Sequence, residues 1–228
     1  MKHSTMQFLH SILFFAILSF VSCKGQDYNS NLKHTNIDTS TTFIREFPTY
    51  KKGANKEDTS YLFKAIREDV KQLNLENLEN GFDSLNMRIW LGHSMTYKNH
   101  VVSIQRLNDK WSGQLITVTR NYSGENETKP KDTKEVKEVM PKSGWNKFVN
   151  NILSLGITTL PDGHDLQGYD GCGGGDGMLH IFEISTKHKY RFYYYCEVED
   201  YIERIAEARA VNKIVGLLEH EFSFKSSK

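Results

Sequence analysis

Residues 87–120, MRIWLGHSMTYKNHVVSIQRLNDKWSGQLITVTR, decide the fold. Met87, Ile89 and Leu91 alternate with Arg88 and Trp90. Further on, Val102, Ile104 and Arg106 alternate with Val101, Ser103 and Gln105. A period of two belongs to a strand, because successive side chains point to opposite faces of a pleated sheet. Asn108-Asp109 is a turn signal before a third run, Trp111 to Arg120. Three consecutive strands with connections this short can pair only antiparallel, so the middle of the chain is a meander.

Working outward, residues 121–132 (NYSGENETKPKD) are a polar loop, and Glu135 to Met140 is a weak strand. Ser143 then stands where a cap belongs for a helix carrying Trp145, Phe148, Val149, Ile152 and Leu153 on one face, stopped by Gly156. Met178 to Ile184 and Tyr190 to Cys196 form a second hairpin, turning near Thr186-Lys187. From Glu199 to Phe222 the apolar spacing is helical, interrupted near Ala208 to Ala210. Upstream of the meander, residues 42–47 read as a short edge strand ahead of Pro48, and Lys51 to Glu57 is polar. Asp58 or Thr59 is placed to cap a helix presenting Leu62, Phe63, Ile66, Val70 and Leu73, which Asn80-Gly81 stops. Strands gathered together with helices between groups, and no regular strand-helix alternation, predict the α+β class. The expected domain spans 43–228, an antiparallel sheet of five to six strands, meander plus C-terminal hairpin, packed on two to three helices.

Composition agrees with one folded domain in 228 residues. Lys plus Arg (29) balances Asp plus Glu (28), which gives no bulk charge for nucleic acid. Thirteen Phe, eleven Tyr and three Trp supply enough apolar area to oppose disorder.

The N-terminal residues carry an address. Lys2 and His3 precede an apolar run, Phe8 to Val21 (FLHSILFFAILSFV), too short to span a bilayer but right for the core of an export signal. Phe20-Val21-Ser22-Cys23 resembles the lipobox of bacterial lipoprotein precursors, with Phe20 where that family usually carries Leu. The resemblance covers this leader alone. It implies a signal peptide over 1–22, cleavage before Cys23, and lipidation of Cys23, with 23–42 as a flexible, Asn/Ser/Thr-rich tether. Lys24, where an Asp would retain the protein in the inner membrane, implies a place in the cell envelope at the outer membrane, on its periplasmic or external face. The membrane is then a partner through the lipid, and the formal charge of residues 23–228 is zero once Lys2 is removed.

With Cys23 lipidated, Cys172 and Cys196 remain, and an oxidising compartment favours a disulfide between them. A hairpin turning near Thr186-Lys187 sets Cys196 across from Asp176 or Gly177, and the glycines at 173, 174 and 175 let Cys172 fold back toward it.

One stretch concentrates chemistry. PDGHDLQGYDGCGGGDG, residues 161–177, holds Asp162, His164, Asp165, Asp170 and Asp176 among glycines. Carboxylates beside a histidine suit a divalent cation or acid-base work, but the spacing fits neither an EF-hand nor a phosphate-binding loop. A tight connection folded around a disulfide, with Asp-Gly turns, explains the same residues. His180 reads as a packed strand residue. Tyr190, Phe192 and Tyr194 share the core face of the last strand, leaving Tyr193 and Tyr195 as a candidate aromatic surface for a sugar or peptide. No catalytic residue and no cofactor is assigned. The function expected is a non-catalytic, lipid-anchored envelope protein whose domain binds a protein, peptide or glycan or serves a structural role, and not nucleic acid. The alternative is a metal-assisted hydrolase acting on envelope material through the 162–176 loop.

Overall fold

The structure, a computed structural model, describes residues 42–51, 57–93, 97–121, 132–171 and 178–226. The leader, Cys23, nearly all of the tether, Cys172 and Asp176 lie outside the described residues.

Among the described residues nine strands and three α-helices follow in chain order: β1 Ile44–Glu46, β2 Thr49–Lys51, β3 Glu57–Thr59, α1 Tyr61–Gln72, β4 Leu85–Leu91, β5 Lys98–Leu107, β6 Lys110–Thr119, β7 Thr133–Glu138, α2 Trp145–Ser154, β8 Leu179–Thr186, β9 Lys189–Cys196 and α3 Ala206–Phe222. Seven strands form one sheet in the order β1-β9-β8-β4-β5-β6-β7, and β2 and β3 form a separate hairpin. This is the expected α+β fold with a somewhat larger sheet. All pairings in the large sheet are antiparallel except β1 with β9. The meander is β4-β5-β6-β7, and the β8-β9 hairpin adds to it along β4. Asn108 and Asp109, at φ 48° and 61°, make the β5-β6 turn with both central residues left-handed, the geometry whose twist suits a hairpin.

Helices cover both faces. Met87, Ile89, Leu91, Phe182, Ile184, Tyr193 and Tyr195 join Phe148 and Ile152 of α2 and Val211, Ile214 and Leu218 of α3 in one core. Trp90, Val101, Ile181, Tyr190, Phe192 and Tyr194 meet Phe63 and Ile66 of α1 in another.

Five expectations need correction. Asp58 and Thr59 do not cap α1 and Asn80-Gly81 does not stop it: Asp58 and Thr59 belong to β3, Ser60 precedes the helix, and the helix ends at Gln72. Ser143 does not cap α2: Gly144 (φ 79°) precedes the helix, the Ser143 N–H donates to Glu221 Oε2 at 2.8 Å, and its hydroxyl is buried with no partner among the described residues. The C-terminal helical stretch breaks at 202–205, between a 3-10 turn (Val198–Tyr201) and α3, not at Ala208 to Ala210, because Ala208 is fully buried and continues the helix face. The last hairpin turns at Lys187-His188, where the Thr186 hydroxyl accepts the Lys189 N–H at 3.1 Å, so Cys196 faces Leu179 and not Asp176 or Gly177. Finally, Tyr193 and Tyr195 are not a surface: they are 1% and 0% exposed, under α2, α3 and the chain that follows α2.

Candidate functional site

Strand β9 loses its partner halfway, because β1 pairs only with Lys189, Tyr190 and Arg191. The segment 157–171 covers the rest of that edge, and the side chains of β9 hold it there. Arg191 donates to the carbonyls of Thr158 (2.5 Å) and Leu160 (2.7 Å), Tyr193 OH to Ile157 O (2.5 Å), and Tyr195 OH to Pro161 O (2.9 Å). An irregular segment leaves carbonyls unpaired, and tyrosines that bury their rings while offering a hydroxyl satisfy them. Burial raises the pKa of both hydroxyls, so they stay protonated donors.

Asp162 completes the edge. One oxygen accepts the Tyr194 N–H at 3.1 Å, in place of a neighbouring strand, and the other accepts the His164 N–H at 2.9 Å, capping the 3-10 turn Gly163–Asp165. Desolvation pushes its pKa up against those two bonds. Gly163 follows because a Cβ there would come within 2.8 Å of Tyr194 O.

Between this segment and the end of β1 lies a cleft of about 660 Å³, walled by Phe47, Pro48, Pro161, His164 and Asp165 with Arg191 at its base. The Arg191 Nε donates to Glu46 at 2.8 Å, and Lys189 pairs with the same carboxylate at 2.6 Å. His164 is exposed and its Nε2 meets Tyr194 OH at 2.6 Å. Of the acids expected to act together, Asp162 is consumed by backbone, Asp165 is exposed, and Asp170 accepts the Tyr201 hydroxyl. Among the described residues no group of three or more His, Cys, Asp or Glu side chains is arranged to hold a metal ion.

A second cleft, about 680 Å³, opens beside α1, with Lys64, Arg67 and Lys71 on its rim and Glu183 and Tyr190 at its floor. Glu183 Oε2 accepts from Trp90 Nε1 (2.8 Å) and Arg88 Nη1 (3.2 Å), and Oε1 accepts from Tyr190 OH (3.0 Å). Arg88 Nη2 reaches Glu76 O at 2.5 Å. These buried polar residues were missed in the sequence. The signal was there: Arg88 and Glu183 each interrupt an apolar strand, and cross-strand pairing puts them side by side. Alternation alone would assign them to solvent, but α1 covers that face.

At the end of the same face Arg120 forks onto Asp69 of α1 (2.6 and 2.8 Å) and reaches Asp132 (2.7 Å), while His93 Nε2 lies 2.9 Å from Asp69. Burial alone would raise Asp69, yet the Arg120 and His93 bonds prevail and bring its pKa down to about 2. On the opposite face His180 is buried with no partner for Nδ1 among the described residues, and desolvation lowers its pKa to about 4. It is a packed strand residue, as read from the sequence.

Within the described residues no helix is long and apolar enough to cross a membrane. Compared with family models, with curated proteins and with solved structures, the chain matches none.

Proposed function

We propose that this chain is a lipid-anchored protein of the bacterial cell envelope whose α+β domain is a non-catalytic binding module for a protein segment, peptide or glycan. The observation that carries the binding half is the use made of the charged groups around the β1 cleft. Arg191 holds two carbonyls and Glu46, and Asp162 holds two backbone N–H groups, so these charges fix the shape of a cleft walled by Phe47, Pro48 and Pro161. Thermal melts with zinc or calcium and with chelator test it: the melt is expected to stay unchanged. A rise of several degrees with metal, lost in Asp165→Asn or His164→Ala, would replace the binding module by a metal-assisted hydrolase.

The address rests on Lys2, the Phe8 to Val21 run and Cys23. Wild type should partition into detergent while Cys23→Ala stays aqueous or unprocessed; equal partitioning would defeat the anchor. The domain we infer to be stapled by a Cys172–Cys196 disulfide. What supports it is that Gly171, which precedes Cys172, sits so close to the end of β9 that a Cβ on it would lie 2.5 Å from Cys196 O. Non-reducing peptide mapping should find residues 172 and 196 joined; recovery of both as free thiols would refute the bridge.

A further inference from the structure

We propose that β7 is a dimerisation edge, through which two copies of this chain pair antiparallel about Val136 and join their sheets. This strand, Thr133-Lys134-Glu135-Val136-Lys137-Glu138, is the last of the large sheet and, among the described residues, pairs on one side only, with β6. All six of its residues are exposed, Val136 at 45%, and Met140 just beyond it at 67%.

The backbone fixes which groups are on offer. The Val139 N–H donates to Gly113 O at 2.9 Å, toward β6. In an antiparallel pair the direction alternates along the strand, so Glu135 and Lys137 also spend their main-chain groups on β6. Lys134, Val136 and Glu138 therefore turn theirs outward. A row of outward N–H and C=O groups is a template for another strand, and edges of this kind are normally protected by charges that a partner strand would bury unpaired.

Here the charges do not protect against a second copy. Only registers that set outward residues against outward residues can form the ladder, which leaves three central choices for two-fold pairing. Centred on Glu135 or on Lys137, a like charge faces its own copy, which is unfavourable directly across strands. Centred on Val136, Lys134 faces Glu138 of the other copy, Glu135 faces Lys137, and Val136 faces Val136. Every charge then meets its opposite. The Glu135–Lys137 crossings fall at the non-hydrogen-bonded positions, where side chains are closest. The bonds that Lys134 and Glu138 already make, to the Asn74 carbonyl at 3.1 Å and the Gln114 amide at 2.6 Å, are with neutral groups, and neither charge has an ionic partner among the described residues. An interface in which the same strand serves both sides is self-complementary and closes as a two-fold dimer.

Charge-swap variants of the full chain test this, by sedimentation equilibrium in density-matched detergent across a range of protein concentrations. Wild type is expected to show a monomer–dimer equilibrium. Lys137→Glu and Glu135→Lys each turn both crossings into like-charge pairs, and each should weaken the dimer roughly tenfold or more. The double variant should restore it, and mixing the two single variants should form a heterodimer, since one then carries only Glu and the other only Lys at these positions. Both sites are exposed, and unchanged thermal melts will show that each variant is folded. A wild type that stays monomeric throughout, or a dimer indifferent to the single variants, would overturn the proposal.

Discussion

The two faces of the large sheet are both roofed by helix, and they are built from different chemistry. Under α2 and α3 the sheet presents Met87, Ile89, Leu91, Phe182 and Ile184, with His180 as an isolated polar group. Under α1 it presents Asn86, Arg88, Glu183 and Ser185 among its apolar residues, all buried. The first face gains stability from area removed from water, a nondirectional term that tolerates shape-preserving exchange. The second must keep its hydrogen bonds, because a charge stripped of its partner in the interior costs more than the pair contributes. That face also carries the cleft beside α1, with Glu183 among the residues that line it, while the dry face lies under two helices.

The largest expected effect is on the dry face. Phe148 is fully buried against Trp145 and Phe222, with ring centroids 6.0 and 5.1 Å away, so Phe148→Ala should cost roughly 3 to 5 kcal/mol in chemical denaturation. A cost below about 1 kcal/mol would mean that α2 does not roof the core.

On the polar face, Glu183→Leu leaves Arg88 buried without its carboxylate. It should cost about 3 kcal/mol, the lower end of the range for a broken buried pair, because the Glu76 carbonyl still takes one Arg88 donor. Adding Arg88→Met should recover the part of that loss due to the unpaired guanidinium, while Trp90 Nε1 and Tyr190 OH stay without their acceptor. If the double variant is no better than the single, the pair has no coupling and the contrast between the faces fails.

Proton linkage separates the faces by pH. His180 has a folded-state pKa near 4 against an ordinary 6.5, so the unfolded chain binds its proton first. Stability is then full above pH 6.5 and falls by about 3 kcal/mol as pH drops to 4. His180→Leu should flatten that limb. Asp69, depressed from 3.8 to about 2, acts lower down: its contribution is full above its unfolded value and is lost as pH falls from about 4 to 2. Allowing for partial solvent screening, the loss should be about 1 to 2 kcal/mol, and Asp69→Asn should remove that limb only. Identical pH profiles for the two variants and wild type would break the assignment.

The sequence by itself determined the elements that have a strong period. The meander announces itself by alternation from Met87 onward, and α2 by its apolar stripe, because a strand or helix with one buried face must write that face into the order of its residues. The α+β class follows from those periods. Strand β1 was legible only because Pro48 follows it, and its parallel pairing with β9 was not legible at all: three exposed residues carry no pattern that names a partner. Nor could the sequence settle which tyrosines of β9 face water. Tyrosine suits either role, and only the packing of α2, α3 and the returning 157–171 segment buries Tyr193 and Tyr195, while that return converts Asp162 from a candidate ligand into a backbone acceptor. Arg88 and Glu183 mark the same limit. Their side-by-side placement comes from cross-strand register and their burial from α1, and both are set by tertiary packing between residues 95 positions apart.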